Sequence, residues 1–216
     1  LPPLVTTSPL GTPQSQAGVL PESATTSILF GGDRVDLGQR SGGRINLGYW
    51  LIDGEFLGVE GQYFTLTPEH TYFNATSVFS DGTQPTDRIL ARPFVNVGPS
   101  HSEPTNDASI VAFPDFTLNQ SQGPLDGTIN IKTTSNIQSA GALLRKLVWI
   151  DFTSQCRLDL LLGYRFFRVD DSVIIDDSSY YTPTSGFAAP INFNFQDTFS
   201  AKNIFNGGEL GIKAQK

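Results

Sequence analysis

Five charged residues lie in segments where apolar and polar residues alternate, and they carry most of the chemistry that the sequence offers. They are Arg44, Glu60, Asp159, Arg165 and Glu209. Alternate side chains of a strand share one face, so each of these charges lies opposite a row of apolar residues. Rings of charged side chains line many pores and set the field that a solute meets. We expect the five to face a polar lumen, either as rings of a pore or, as their mixed signs favour, as a salt-bridge network that fills it.

A second group of ionisable residues is purely acidic. Asp170, Asp171, Asp176 and Asp177 are close together in the chain, and neighbouring carboxylates can bind Ca²⁺ through their oxygen atoms. Their spacing does not fit the EF-hand loop, which needs a glycine and a final Glu at fixed positions. We therefore interpret them as an acidic, solvent-facing rim and predict no metal site and no cofactor.

Catalytic chemistry has little support in this sequence. His70 and His101 lie beside or near Glu69 and Glu103, but no Gly-x-Ser-x-Gly motif accompanies either histidine to present a catalytic serine. Cys156 is the single cysteine, so the chain cannot form an internal disulfide framework. We predict no catalytic residue and no enzymatic activity.

The element that must position Asp159 and Arg165 is the segment from Cys156 to Phe167. Read as a strand, one of its faces is wholly apolar and ends in aromatic residues, whereas the other carries charges of both signs and a glycine. A tilted strand of about 9–11 residues crosses the hydrocarbon layer, and this alternation is typical of a wall between lipid and a polar lumen. A half-buried strand of a soluble sheet has the same pattern. The apolar residues are Leu158, Leu160, Leu162, Tyr164 and Phe166.

Three further segments repeat the alternation around Arg44, Glu60 and Glu209. Asp53 and Gly54, between the first two segments, are a strong signal for a hairpin turn. We expect the apolar side chains of all three segments to face lipid and the side chains of opposite parity to face the lumen. The lipid-facing residues predicted in these segments are Ile45, Leu47, Tyr49, Leu57, Val59, Tyr63, Leu210 and Ile212.

The composition along the chain predicts two parts. Residues 1–34 are rich in proline, threonine and serine and are expected to form an extended N-terminal segment with a short strand. Residues 35–216 are expected to form antiparallel barrel strands with long loops at about 77–126 and 177–190. Long loops that alternate with short turns are typical of outer-membrane barrels.

The first of these predicted loops contains two apolar stretches. Each stretch includes a proline, Pro93 in one and Pro114 in the other. Proline cannot donate a ladder hydrogen bond, which restricts a strand to a sheet edge. We therefore predict edge strands or loop packing for both stretches.

The composition excludes several classes of protein. The net charge is −7 and the pI about 4.7, which speaks against a nucleic-acid partner. No run of about 18 apolar residues is present, so no transmembrane helix is predicted. The best helical candidate, 138–146, lies inside a longer strand-like run, and this favours an all-β fold. The first residues are not a signal peptide, and we expect a mature chain after signal-peptide removal.

A set of short segments follows a recognisable order: Pro2–Pro9, Ile28–Asp33, Arg40–Trp50, Gly58–Phe64, Ile89–Phe94, Leu160–Arg165 and Gly207–Gly211. Together they resemble the outer-membrane β-barrel family BBP7, which is abundant in Planctomycetes. The resemblance covers nearly the whole chain and implies an outer-membrane barrel, without indicating a transported solute. Family members continue with further strands, and the smallest single-chain membrane barrels have about eight. We therefore expect this chain to cover part of a barrel, rather than to share one wall with other chains.

The expected fold is thus an antiparallel up-and-down transmembrane β-barrel of the all-β class. The expected role is that of a structural or pore-forming protein of the bacterial outer membrane. Its expected partners are outer-membrane lipid and either a second copy of the chain or neighbouring membrane or envelope proteins. The alternative is a secreted or cell-surface β-sandwich domain that acts in adhesion or assembly through its long loops.

Overall fold

The computed structural model describes residues 1–20, 26–33, 38–52, 54–82, 88–98, 103–153, 155–184 and 189–216. Across these ranges the regular secondary structure is strand, without a helix. The pairings whose register is recorded are antiparallel, which confirms the all-β, antiparallel prediction. The strands are β1 (Val5–Ser8), β2 (Ser27–Phe30), β3 (Gly42–Trp50), β4 (Leu57–Leu66), β5 (Glu69–Ser77), β6 (Ile89–Asn96), β7 (Thr105–Leu118), β8 (Ser121–Asp151), β9 (Cys156–Tyr181) and β10 (Ile191–Gln215).

The strands form two compact units, each assembled from three parts of the chain. Unit 1 comprises Leu1–Asp36, Thr71–Lys132 and Val173–Thr198, and unit 2 comprises Leu37–His70, Thr133–Ser172 and Phe199–Lys216. The long strands β8, β9 and β10 contribute residues to both units. One end of each of these strands therefore packs in unit 1 and the other end in unit 2.

Unit 2 is one sheet with the strand order β3-β4-β8-β9-β10. β3 and β4 form the hairpin predicted from Asp53 and Gly54 and pair along the whole of β3. Asp53 lies outside the described residues, while Gly54 has the positive φ of 82° that glycine adopts without strain. Within the described chain, β3 and β10 each have a single neighbouring strand. The sheet is therefore not closed, as expected for part of a barrel.

Unit 1 has two layers of strands around a buried core, and the layers join where the end of β7 pairs with β8. One layer has the order β2-β1-β6-β7, and the other consists of β5 with the parts of β8, β9 and β10 that belong to this unit. Apolar side chains of both layers meet in the core and are nearly inaccessible to water. Burial of a large aliphatic side chain contributes about 1.5–3 kcal/mol, so this core is a principal source of stability in unit 1. Its members are Val5, Leu90, Val111 and Ala112 in the first layer and Ile129, Ile131 and Ile175 in the second.

The structure corrects the two predicted long loops. Segment 77–126 contains β6, β7 and the first residues of β8, and β9 continues through the start of segment 177–190 as far as Tyr181. Likewise, the predicted extended segment 1–34 contains two strands, β1 and β2. These strands are short or interrupted by polar residues, so they show little alternation in the sequence. They form because they pair with distant strands.

Both prolines occupy positions where a strand can lack a hydrogen bond. The recorded pairing of β6 with β1 ends at Ala91, so Pro93 lies beyond it and pairs only with Ala108 of β7. Pro114 lies at the register shift where β7 leaves β6 and begins to pair with β8. Proline is tolerated at sheet edges and at bulges. Both prolines therefore lie where strand edges or bulges allow them, as predicted. The prediction of a long loop over residues 77–126 was wrong.

Candidate functional site

One face of unit 2 gathers charged side chains from all five of its strands. It includes the five residues singled out in the sequence and, in addition, Arg145, Arg157 and Lys213. Ion pairs join most of these side chains to one another. Arg44 belongs to the same face because the register of β3 and β4 gives it the same parity as Glu60. We call this the charged face. That the charged face lines a lumen stays a prediction.

Asp159 is the centre of the first of two clusters on the charged face. Its carboxylate is inaccessible to water, with 0% exposure. It accepts hydrogen bonds from Nε of Arg145 at 2.8 Å and from Nε of Arg157 at 2.9 Å. Two guanidinium groups thus neutralise the charge of one buried carboxylate. Removal of the carboxylate would leave the two positive charges buried without this partner.

Further carboxylates balance the two arginines. Nη1 of Arg145 lies 3.0 Å from Oε1 of Glu60, and Nζ of Lys213 lies 3.1 Å from the same oxygen. Arg157 binds Glu55, which follows the hairpin turn between β3 and β4. Together with the central aspartate, these three cations and three carboxylates form an electrically balanced network.

Trp50 is the aromatic member of this network. Its ring centroid lies 4.6 Å from Cζ of Arg145 and 4.4 Å from Cζ of Arg157, within the range of cation–π attraction. Gly58 leaves the space that the ring occupies, since a Cβ at that position would lie 2.7 Å from the ring. The indole therefore holds both guanidinium groups in place beside Asp159.

A second, smaller cluster lies further along the same strands. Arg165 donates two hydrogen bonds of 2.8 Å to Glu209, one from Nε and one from Nη2, and Nη2 also donates to Gln62 at 2.9 Å. This bidentate geometry is the strongest form of arginine–carboxylate contact. Arg44 is exposed, and its Nε makes a long bond of 3.4 Å to Oδ1 of Asn46.

The opposite face of unit 2, here called the apolar face, carries the residues predicted to contact lipid. Large side chains on it are exposed, among them Leu47 at 72%, Leu162 at 57% and Leu210 at 74%. Contiguous apolar patches of this kind are rare on soluble monomers and mark surfaces that contact lipid or protein. Contact with lipid stays a prediction. The exposed members are Ile45, Leu47, Tyr49, Val59, Tyr63, Leu160, Leu162, Tyr164, Leu210 and Ile212, and the half-buried members are Leu57, Leu158 and Phe166.

The sheet of unit 2 curls toward its charged face. β8 and β9 separate β4 from β10, so a flat sheet with a spacing of about 4.8 Å would hold β4 and β10 about 14 Å apart. Lys213 of β10 contacts Glu60 of β4 directly, with both long side chains reaching over the intervening strands. In addition, a single groove of about 630 Å³ is lined by residues from all five strands, including both edge strands. The charged face is therefore the inside of a curved wall.

Comparison with known proteins identifies the family. The family model described as Putative beta barrel porin-7 (BBP7) matches residues 1–216, the whole chain. The chain belongs to the BBP7 family. No curated protein and no solved structure matches it. Membership confirms the family predicted from the sequence segments and supports an outer-membrane β-barrel in general.

Sequence reasoning missed five members of the network in this BBP7 protein, namely Arg145, Arg157, Lys213, Glu55 and Trp50. Arg157 has the same parity as Asp159 on β9, and this was the signal that could have identified it. Arg145 lies in the stretch that was the best helical candidate, although it has the parity of Leu143, which is also buried on this strand. Trp50 shares its face with Arg44, but its contact with two arginines of other strands has no local signature.

Two acidic residues of the predicted rim bind different arginines. Oδ2 of Asp170 lies 2.6 Å from Arg168, while Oδ2 of Asp177 lies 2.6 Å from Arg92. Burial acts to lower the pKa of Arg92, but its bonds to Asp197 and Asp177 outweigh this effect and raise the pKa above its ordinary value. In the part of the chain that the structure describes, no group of three or more His, Cys, Asp or Glu residues could hold a metal ion.

His70 contacts a hydroxyl group of a neighbouring strand. Nδ1 of His70 lies 3.0 Å from the hydroxyl of Thr134 across the β5–β8 pair. His101 lies outside the described residues. Among the described residues, no helix is long and apolar enough to cross a membrane.

Proposed function

We propose that this BBP7 protein is a β-barrel protein of the bacterial outer membrane, structural or pore-forming, in which unit 2 is part of the membrane wall. The observation that carries the proposal is the division of unit 2 into an exposed apolar face and a balanced charged face. Water disfavours exposed apolar surface by about 25 cal/mol per Å², whereas lipid does not. Charges on the inner side are the arrangement typical of such walls.

The limits of the wall follow from the outward side chains of β8. In unit 2, Leu144 is apolar and exposed. In unit 1, the outward hydroxyl of Thr128 lies 3.0 Å from the hydroxyl of Thr76 on β5. Thr76 is exposed and Thr128 is half-buried. Polar pairs of this kind are suited to water, so the residues of unit 2 cross the bilayer and those of unit 1 lie outside the hydrocarbon.

The Asp159 network supports a structural role with a filled interior over a wide pore. Its carboxylates and cations neutralise one another, so they leave little field for a passing ion. Planar-bilayer recording separates the two roles. Absence of single-channel steps from the inserted protein supports the filled interior, and regular steps support the pore.

The wall is tested by an arginine on each of its two faces. An arginine at the middle of the bilayer costs about 2–4 kcal/mol, so Leu160→Arg on the apolar face should block insertion into lipid vesicles. Leu161→Arg, one residue along on the charged face, should be tolerated better. Protection of the protein from protease after vesicle flotation measures insertion. Equal damage from the two substitutions would contradict the assigned sidedness.

Several finer parts of the proposal rest on the family and on the faces together. A planctomycete source is what the resemblance implies. The protein is not an enzyme. Its partners are outer-membrane lipid on the apolar face and a second copy of the chain or neighbouring membrane or envelope proteins, and nucleic acid is not among them.

A second candidate role, a secreted or cell-surface β-sandwich, draws support from unit 1. The buried two-layer core and polar outward pairs of unit 1 are what such a domain would have. Detergent dependence separates the two candidates. A chain that stays monodisperse in plain buffer after removal of detergent would favour the surface domain, and aggregation on removal would favour the barrel.

A further inference from the structure

The groove on the charged face of unit 2 differs from the Asp159 network in that it is largely apolar. Its volume of about 630 Å³ falls in the range of about 300–1,000 Å³ found for small-molecule sites. Three phenylalanines line it, Phe64 from β4, Phe167 from β9 and Phe205 from β10. Phe205 is 59% exposed, so its ring is accessible to a ligand.

The charged side chains that line the groove are both positive. Arg44, Arg165 and Gln62 line it, and no carboxylate does so among the described residues. Glu209 lies close enough to attract Arg44, but its carboxylate already accepts both bonds of the bidentate pair with Arg165. Arg44 therefore keeps most of its donors for another anion.

The surroundings of Arg44 leave room for such an anion. Arg44 is exposed, and it lines the open space of the groove. A planar guanidinium with free donors matches a carboxylate in bidentate fashion. Aromatic rings nearby would pack against an aromatic body in offset or edge-to-face geometry, each pair contributing about 0.5–1.5 kcal/mol.

We propose that this groove is a binding site for aromatic carboxylates, with Arg44 holding the carboxylate and the three phenylalanines holding the ring. The inference deepens and rests on the proposed function, because it takes the charged face as the interior of the barrel. It gives that interior a ligand class, which neither the family nor the network does.

The test is calorimetric titration of the detergent-solubilised chain with 2-naphthoate and with 2-naphthamide, which has the same ring system without the charge. Empty micelles provide the blank for partitioning into detergent. We expect naphthoate to bind at least tenfold more tightly than the amide. Equal affinities for the two compounds would overturn the proposal.

Two variants of groove residues and one control variant assign the interaction to this groove. Arg44→Gln should remove the preference for the acid, while Lys202→Gln removes a positive charge from β10 outside the groove and should leave the preference intact. Phe205→Ala should weaken both ligands by a similar factor. An unchanged preference in Arg44→Gln, with its folding verified by circular dichroism, would overturn the role of Arg44.

The titration is independent of membrane insertion, so the two proposals can fail separately. A protein that inserts as expected but binds naphthoate no better than naphthamide retains its role as a wall and loses this site. A protein that binds naphthoate selectively but tolerates Leu160→Arg in vesicles loses the wall and retains the site.

Discussion

Units 1 and 2 share the strand β8 but use its outward side chains in opposite ways. In unit 2, Leu144 lies opposite Val59 of β4, and both are exposed apolar residues. In unit 1, Asn130 accepts a hydrogen bond of 2.6 Å from Asn74 of β5, and both are exposed. Cross-strand pairs stabilise a sheet only when they suit the medium that they face. The difference supports the proposal that the two parts of one strand face different media.

The inward side chains of β8 change in the reverse sense. Ile129 and Ile131 are buried in the apolar core of unit 1, whereas Arg145, of the same parity, is buried in the ionic network of unit 2. A sheet in water places its apolar side chains inside, and a sheet in lipid places them outside. The reversal of this pattern along one strand supports the proposal that unit 2 lies in a membrane.

The largest expected effect in this comparison comes from removal of a buried charge in unit 2. Asp159→Ala leaves Arg145 and Arg157 without the carboxylate that they share, and loss of one partner from a buried ionic group costs about 3–5 kcal/mol. The matched variant in unit 1, Asp177→Ala, should cost less because Arg92 keeps its contact with Asp197. Urea unfolding of the detergent-solubilised chain measures both losses as free energies of unfolding.

The isosteric variant Asp159→Asn separates charge from shape. It keeps the volume of the side chain and removes the charge, so it should retain most of the loss seen with alanine. Complete recovery in Asp159→Asn, or an equal loss in Asp177→Ala, would mean that the network of unit 2 has no special electrostatic role.

A smaller loss is expected from truncation in the core of unit 1. Ile131 is 2% exposed, and removal of a buried aliphatic side chain to alanine costs about 2–5 kcal/mol because it also leaves a cavity. Leu210→Ala on the apolar face of unit 2 removes a side chain that is 74% exposed and leaves no cavity within the protein. The same unfolding measurement should give it the smaller loss. Equal losses would place Leu210 against protein instead of lipid.

Local alternation was enough to predict the faces of unit 2. Leu160 and Leu162 differ from Asp159 and Arg165 in parity alone, and a strand converts parity directly into sidedness. The structure places these two sets on opposite faces, with the leucines exposed and Asp159 fully buried. The two faces depend only on alternation between neighbouring residues, so they can be predicted from the sequence.

The partners across strands could not be predicted in this way. Arg145 reaches Asp159 and Glu60 because three strands lie side by side, and no local pattern reports which strands these are. The position of Pro93 also depends on distant strands. The sequence predicted an edge strand or a loop there, and the structure pairs Pro93 with a strand on one side, β7. Two-layer packing in unit 1 is likewise a property of distant segments, so its core was missed.

The smallest effect in this series tests how closely the strands of unit 2 pack beneath the ionic network. Gly163 lies on the charged face between Asp159 and Arg165, and a Cβ there would lie 2.0 Å from the carbonyl oxygen of Ala142. Gly163→Ala should therefore cost about 1–3 kcal/mol, the usual range for overpacking. At Gly61 a Cβ meets only the carbonyl oxygen of Leu47, at 4.0 Å, so Gly61→Ala should be nearly neutral in the same urea measurement. If both alanines are neutral, β8 and β9 are loosely held, and a curved wall that depends on their close approach is contradicted.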